Sequence, residues 1–143
     1  MSTGKTAKAS IQIKAPVSEV WQALTDPAII RQYFFGTEVS SDWQQGSPIT
    51  YRGTWKDQSY EDKGMIEKII PDQLLQTTYW SSLSGTEDRP ENYATVSYQL
   101  QPAGEGTVVE VTQDHCLTEE SRAHSEANWL QVLTQLKELL EKA

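Results

Sequence analysis

Apolar and polar positions alternate near the start of the chain. Ala9, Ile11 and Ile13 are separated by Ser10, Gln12 and Lys14, which predicts a strand over roughly residues 6–14 with one buried and one wet face. Pro16 ends it, and the period changes. Val17, Val20, Trp21 and Leu24 fall at i, i+3, i+4 and i+7, one stripe of a helix. Asp26 is placed to cap a second helix, and Pro27 fits a first turn, where its missing N–H is not needed. Ile29, Ile30, Tyr33 and Phe34 form that helix's stripe. Both helices fall short of the ~12–15 residues that an isolated helix needs, so each must pack on something larger.

After Gly36 period two returns. Ile49, Tyr51, Gly53 and Trp55 share one face, with Thr50, Arg52 and Thr54 on the other. A strand at about 61–70 follows, closed by the turn signal "PDQ" at 71–73. "LLQTTYWS" at 74–81 is its neighbour; Tyr79 and Trp80 point to opposite faces, and the pattern leaves open which is inward. "SLSGTEDRPEN" at 82–92 reads as a loop. Ala94, Val96, Tyr98 and Leu100 alternate with polar residues, "PAGEG" at 102–106 is a turn, and "TVVEVTQDH" at 107–115 is the last strand. Short connections between strands imply an antiparallel meander.

A long helix closes the chain at about 118–141, with Thr118 as N-cap and Glu119 and Glu120 at the positive end of its dipole. Trp129, Val132, Leu133, Leu136, Leu139 and Leu140 cover a broad apolar face. Upstream, Ser121, Ser125 and Asn128 lie on its flank, and Arg122 lies on the stripe itself. The expected fold is α+β: a curled antiparallel sheet of about seven strands around one long helix, with two short helices after the first strand. A curled sheet and a straight helix leave a wedge between them. The Trp21 helix is expected to plug one end of that wedge.

Composition narrows the picture further. One domain suits 143 residues, and a chain of this size buries roughly 70% of its unfolded surface, enough to fold without a staple. A net charge of -8 with scattered Lys and Arg argues against nucleic acid and anionic bilayers as partners. No apolar run reaches the roughly 18 residues of a membrane helix, and "MSTGKTAKAS" has no secretory h-region. Cys116 is the single cysteine, compatible with a reducing cytosol; a cytoplasmic location is the expectation.

The segments "IKAPVSEVWQALTDP" (13–27), "SDWQQGSPITYRG" (41–53), "GMIEKIIPDQLL" (64–75), "TVSYQLQPAGEGTVVEV" (95–111) and "NWLQVLTQLKELLE" (128–141), in this order and spacing, carry a resemblance. The chain resembles the START-like (SRPBCC) superfamily, and within it the Hsp90 ATPase activator homologue-like domains, over nearly its whole length. The resemblance implies a helix-grip fold with a cavity between sheet and C-terminal helix. Many relatives bind hydrophobic small molecules there, and some use the cavity as an active site. Family members often place Gly before the tryptophan of the last helix, where this chain has Asn128; if that position faces the cavity, the cavity is smaller or more polar there. The eukaryotic co-chaperones also carry a separate N-terminal domain with no counterpart in these residues, so the family name is not read as the activity.

Little in the sequence suggests catalysis. There is no G-x-S-x-G elbow, and His115 and His124 are the only histidines, both expected at surface or structural positions. Asp114, His115, Cys116 and His124 match no zinc spacing, so no metal and no cofactor is expected. "GKT" at 4–6 lacks the glycine and strand of a phosphate loop. The adjacent pairs Glu61-Asp62, Glu87-Asp88 and Glu119-Glu120 point apart and read as solvated charge. Tyr51, Trp55, Tyr79, Trp80 and Tyr98 either fill the core or line a pocket. With Arg122, Ser125, Asn128 and Val132 they make the candidate cavity lining. Arg122 is read first as a stem on the apolar stripe with its guanidinium in water; the alternative is a clamp for a ligand carboxylate.

Three functions are in view. The first is non-enzymatic binding of a small hydrophobic or amphipathic molecule, lipid-like or aromatic. The second is a cavity enzyme of the cyclase or hydrolase sort, with Tyr51, Tyr98, Arg122 and His115 as suspects. The third is an interaction module, either a homodimer or a chaperone accessory.

Overall fold

The computed structural model describes residues 5–34, 36–55, 58–81, 87–116 and 118–141; the side chains of Trp55 and Pro90 lie outside the description. The chain runs β1 (Lys5–Ile13), α1 (Val17–Thr25), α2 (Pro27–Tyr33), β2 (Glu38–Ser41), β3 (Pro48–Trp55), β4 (Gln58–Ile70), β5 (Leu74–Tyr79), β6 (Ala94–Ala103), β7 (Gly106–Cys116) and α3 (Glu119–Glu141). The strands form one antiparallel seven-stranded sheet in the order β1-β7-β6-β5-β4-β3-β2. This is the α+β architecture expected from the pattern, and it agrees with the helix-grip that the resemblance implies.

The sequence did not locate β2. It is four residues long with one buried side chain, Val39, too short for alternation to register. Within the expected loop 82–92, residues 82–86 lie outside the described residues, and Pro90–Asn92 makes a single 3₁₀ turn.

Local chemistry sets the helix starts. The Asp26 carboxylate accepts from the Ala28 N–H at 2.9 Å, with Pro27 in the first turn of α2. Thr118 Oγ1 accepts from the Ser121 N–H at 3.0 Å and caps α3. Val132, Leu133 and Leu136 of α3 are buried against Ile13, Val109 and Val111 in one cluster with Val20, Leu24 and Ile30 of the short helices. α1 packs on α2, α3, β6 and β7, with Trp21 partly buried against the core. Among the described residues no helix is long and apolar enough to cross a membrane.

α3 also seals one sheet edge. β1 is an edge strand, and an edge leaves backbone donors unpaired. Glu126 accepts from the Lys8 N–H at 3.1 Å and Glu141 from the Lys14 N–H at 2.9 Å. Hydrogen bonds from Arg122 and from the Lys8 amide hold the Glu126 carboxyl below the ordinary glutamate value, and Lys137 and the Lys14 amide do the same for Glu141. Both carboxylates bind protons more weakly when folded than when unfolded. Their contribution is therefore present above the ordinary value of 4.5 and lost as pH falls through the lower folded value. Thermal melts from about pH 7 to about pH 3 are expected to show a shallower acid slope for the Glu126→Gln/Glu141→Gln double variant than for the wild type. Identical slopes would show that the helix does not hold the edge electrostatically.

Candidate functional site

The space between sheet and α3 is lined by inward residues of both layers and by two short connections. Ile49 and Tyr51 of β3, Leu75 of β5 and Tyr98 of β6 form the sheet wall. Val132, Leu133 and Leu136 form the helix wall. The remaining sides are Leu24, Ile30, Tyr33, Phe34, Val39 and Trp43. Alternation in the strands puts these sheet residues on the concave face, and the i, i+1, i+4 spacing in α3 brings its three residues to one seam.

The remaining volume is ≈ 20 Å³, room on the scale of one water molecule. Little of the expected wedge stays empty: Tyr33, Phe34, Trp43, Tyr51 and Tyr98 fill most of it. Phe34 stacks on Tyr51 at 6.4 Å between centroids and meets Trp129 edge-on at 5.9 Å. Tyr98 meets Trp129 at 5.7 Å and Tyr51 meets Tyr79 at 5.6 Å, both edge-on. The aromatic rings therefore form a continuous wall.

Two members of that wall come from connections. Phe34 follows α2, and Trp43 sits in the turn between β2 and β3. Trp43 has φ 56°, the left-handed region that costs a non-glycine residue roughly 1–3 kcal/mol unless its surroundings hold it there. Its N–H donates to Ser41 Oγ at 3.0 Å, and Gly46 turns the chain back toward β3 with its N–H on the Ile66 carbonyl at 2.7 Å.

The expected lining residues separate into groups. Tyr51, Tyr98 and Val132 line the cavity. Tyr79 stands beside it, against Tyr51, and donates its hydroxyl to Asp62. Trp80 is corrected: it lies on the convex face, stacked on Tyr93 at 6.4 Å with the Lys63 ammonium 5.9 Å from its ring. Buried Thr77 fixes this register, so Tyr79 is the inward aromatic of β5. The Trp55 side chain lies outside the described residues.

Arg122 does not line the cavity: its guanidinium, read first as a group outside the core and alternatively as a clamp, is held by Glu119 at 3.0 Å and Glu126 at 2.6 Å on its own helix. Ser125 faces Cys116, with its Oγ 4.0 Å from the Cys116 Sγ, and Asn128 is exposed; neither lines the cavity. Asn128 lies about one turn, Ser125 about two and Arg122 nearly three turns of α3 before the buried seam that starts at Val132, which the helix stripe alone does not reveal.

Sequence reasoning missed Trp43, whose turn shows no period. It also missed Asp62. Glu61 and Asp62 do point apart, but only Glu61 is solvated, paired with Arg52 at 2.8 Å. Asp62 is 6% exposed on the concave face. An acid opposite Tyr51 in a two-residue period is the signal that was available.

Burial pushes the Tyr33 and Tyr51 phenols well above their ordinary value, and burial followed by the Asp62 charge does so for Tyr79. Burial raises Tyr98 likewise. All four phenols stay protonated at neutral pH and are not bases; Tyr33 donates to the Ala23 carbonyl at 2.9 Å and Tyr79 to Asp62. The suspects for catalysis do not converge: Tyr51 and Tyr98 face the cavity, Arg122 is tied to glutamates, and His115 sits at the end of β7. Among the described residues no group of three His, Cys, Asp or Glu side chains gathers as a metal site. A second concavity, ≈ 380 Å³, lies open between α2 and β2–β3, with Arg31, Glu38 and Arg52 on its rim.

The profile of the family described as Activator of Hsp90 ATPase homolog 1-like protein matches residues 14–141. The chain is similar to the solution structure of ChR145 from Cytophaga hutchinsonii, with 44% identity over 99% of this chain and 97% of that one, and a TM-score of 0.86. It shares its fold with DynU16, a protein of the dynemicin biosynthetic locus, at 23% identity, TM-score 0.78, covering 95% of this chain and 47% of that one. It also shares its fold with the Aha1 dimer from Colwellia psychrerythraea, at 23% identity, TM-score 0.74, covering 96% of each. Among curated proteins, none matches the chain.

Proposed function

Because the chain belongs to the family of Activator of Hsp90 ATPase homolog 1-like proteins, and its sheet–helix space is apolar, we propose that it receives a small hydrophobic or amphipathic molecule there without transforming it. The observation that carries this reading is which parts close the cavity. Phe34 and Trp43 belong to connections, so the space opens by moving two rings while the sheet and α3 stay intact. Trp43 holds a strained backbone in the closed form, which lowers the cost of leaving it. Ligand affinity is then the intrinsic affinity reduced by the fraction of open molecules.

The test is a titration with an alkylbenzene followed by amide chemical shifts, in the wild type and in Trp43→Gly. Glycine accepts the positive φ and removes the closing ring. Affinity is expected to rise about tenfold or more in the variant, because the competent state no longer has to displace the indole. Equal or weaker binding by a folded variant would exclude Trp43 as the gate.

A second reading follows from the family description itself, an accessory to the Hsp90 chaperone. Stimulation of a purified Hsp90 ATPase by the chain, insensitive to cavity ligands, would favour it over the binder.

A further inference from the structure

The hydroxyl groups of the cavity lining bear on which head group a ligand carries. Three phenols line the space, Tyr33, Tyr51 and Tyr98. Tyr33 is spent, because its hydroxyl donates to the Ala23 carbonyl at 2.9 Å. The Tyr51 and Tyr98 hydroxyls have no hydrogen-bond partner among the described residues. Yet Tyr51 is 8% exposed. Burial raises the Tyr98 phenol most, and the Tyr51 phenol comes next, so the two hydroxyls lie within each other's field.

A third hydroxyl stands on the same wall. Thr77 is the next inward residue of β5 after Leu75, which lines the cavity and faces Tyr98 across the β5–β6 ladder. Thr77 is 1% exposed, and its Oγ1 is unpartnered among the described residues. It is near enough to ease ionisation of the Tyr51 phenol, yet no hydrogen bond closes between them. A buried hydroxyl without a partner costs free energy that an incoming acceptor recovers. The rest of the lining is apolar, and no charged side chain belongs to it. A carboxylate or an ammonium would therefore bring in a charge that the lining does not offset, whereas a neutral acceptor brings none.

We infer that Tyr51 and Tyr98 form a donor pair for the ligand's head group: the cavity takes molecules with an apolar or aromatic body and a neutral acceptor oxygen, that of a ketone, ester or ether, held against the sheet wall with the body along α3. This rests on the receptor reading above. Three probes with one body separate the two claims: benzylacetone, butylbenzene and phenylbutanoate. Their dissociation constants are measured by chemical-shift titration at neutral pH and constant ionic strength.

Benzylacetone is expected to bind about tenfold or more tightly than phenylbutanoate, whose charge must leave water. Tyr51→Phe and Tyr98→Phe each keep the ring and remove the hydroxyl. In each, benzylacetone is expected to weaken about 3–10-fold relative to butylbenzene, the worth of one neutral hydrogen bond. The ratio to butylbenzene cancels any change in how often the cavity opens, because both probes need the same open form.

Tyr98→Phe decides the matter alone if Tyr51→Phe does not fold, since Tyr98 is the less buried of the two. A benzylacetone-to-butylbenzene ratio unchanged in either folded variant would overturn the donor pair and leave the receptor reading standing, because butylbenzene still binds. Phenylbutanoate bound as tightly as benzylacetone would overturn the preference for a neutral acceptor in the same way. No binding of any of the three would overturn both.

Discussion

Gly64→Ala is expected to lose about 4 kcal/mol or more of folding stability, the range reached when a substitution collides with fixed backbone. An ideal Cβ at Gly64 would lie 1.7 Å from the Thr78 carbonyl oxygen and 2.5 Å from its carbon. Neither atom is the end of a flexible side chain, so one strand must move. β4 and β5 meet around this point through two bonds between Lys63 and Trp80, at 3.0 and 2.8 Å, and one from the Met65 N–H to Thr78 Oγ1 at 2.9 Å. Separating the strands breaks all three and adds strain. A glycine within a strand marks such a close approach. At roughly 2–4 °C per kcal/mol for a chain of this size, the melting temperature should fall by about 10 °C or more. Urea unfolding within about 1 kcal/mol of wild type would show that the strands are not in that contact.

Leu136→Ala is expected to cost roughly 2–5 kcal/mol, toward the upper end of that range. Leu136 is fully buried, on the seam of α3 that faces the sheet, and it lines the existing cavity. A truncation beside an existing void collapses poorly, because the walls are the rigid sheet and the helix itself. Leu130→Ala is the matched control. It deletes the same atoms from the same helix at a position 48% exposed, and the expected change is within about 0.5 kcal/mol. Similar losses for the two variants would contradict the packing of α3 over the concave face.

The fold was legible because its periods are clean. Ala9, Ile11 and Ile13 in β1 and Ala94, Val96, Tyr98 and Leu100 in β6 alternate as the sheet requires, and Asp26 and Thr118 announce their helices. The site was less legible for physical reasons. Trp80 and Tyr79 are equally apolar, and which one faces inward depends on the pairing register of β5, not on composition. Arg122 sits on the apolar stripe by angle, yet α3 at that level has neighbours of opposite charge, which hold its guanidinium outside. Trp43 lies in a turn without a period, and its inward placement comes from a left-handed backbone that sequence alone does not display. The size of the cavity was not legible because side-chain volume, not the curvature of the sheet, decides how much of a wedge stays empty.

Asp62 illustrates the same limit from the other side. Acidic neighbours in a strand must face opposite ways, so one of the pair had to turn inward if the face of Tyr51 was buried.

The most direct measurement is a set of intermolecular nuclear Overhauser effects between protonated butylbenzene and the methyl groups of the wild-type protein. The account predicts contacts to Val132, Leu133 and Leu136 together with Leu24 or Ile30, the walls of the closed cavity. Contacts confined to Met65, Ile70 or other convex-face residues, or none at the solubility limit of the probe, would contradict it.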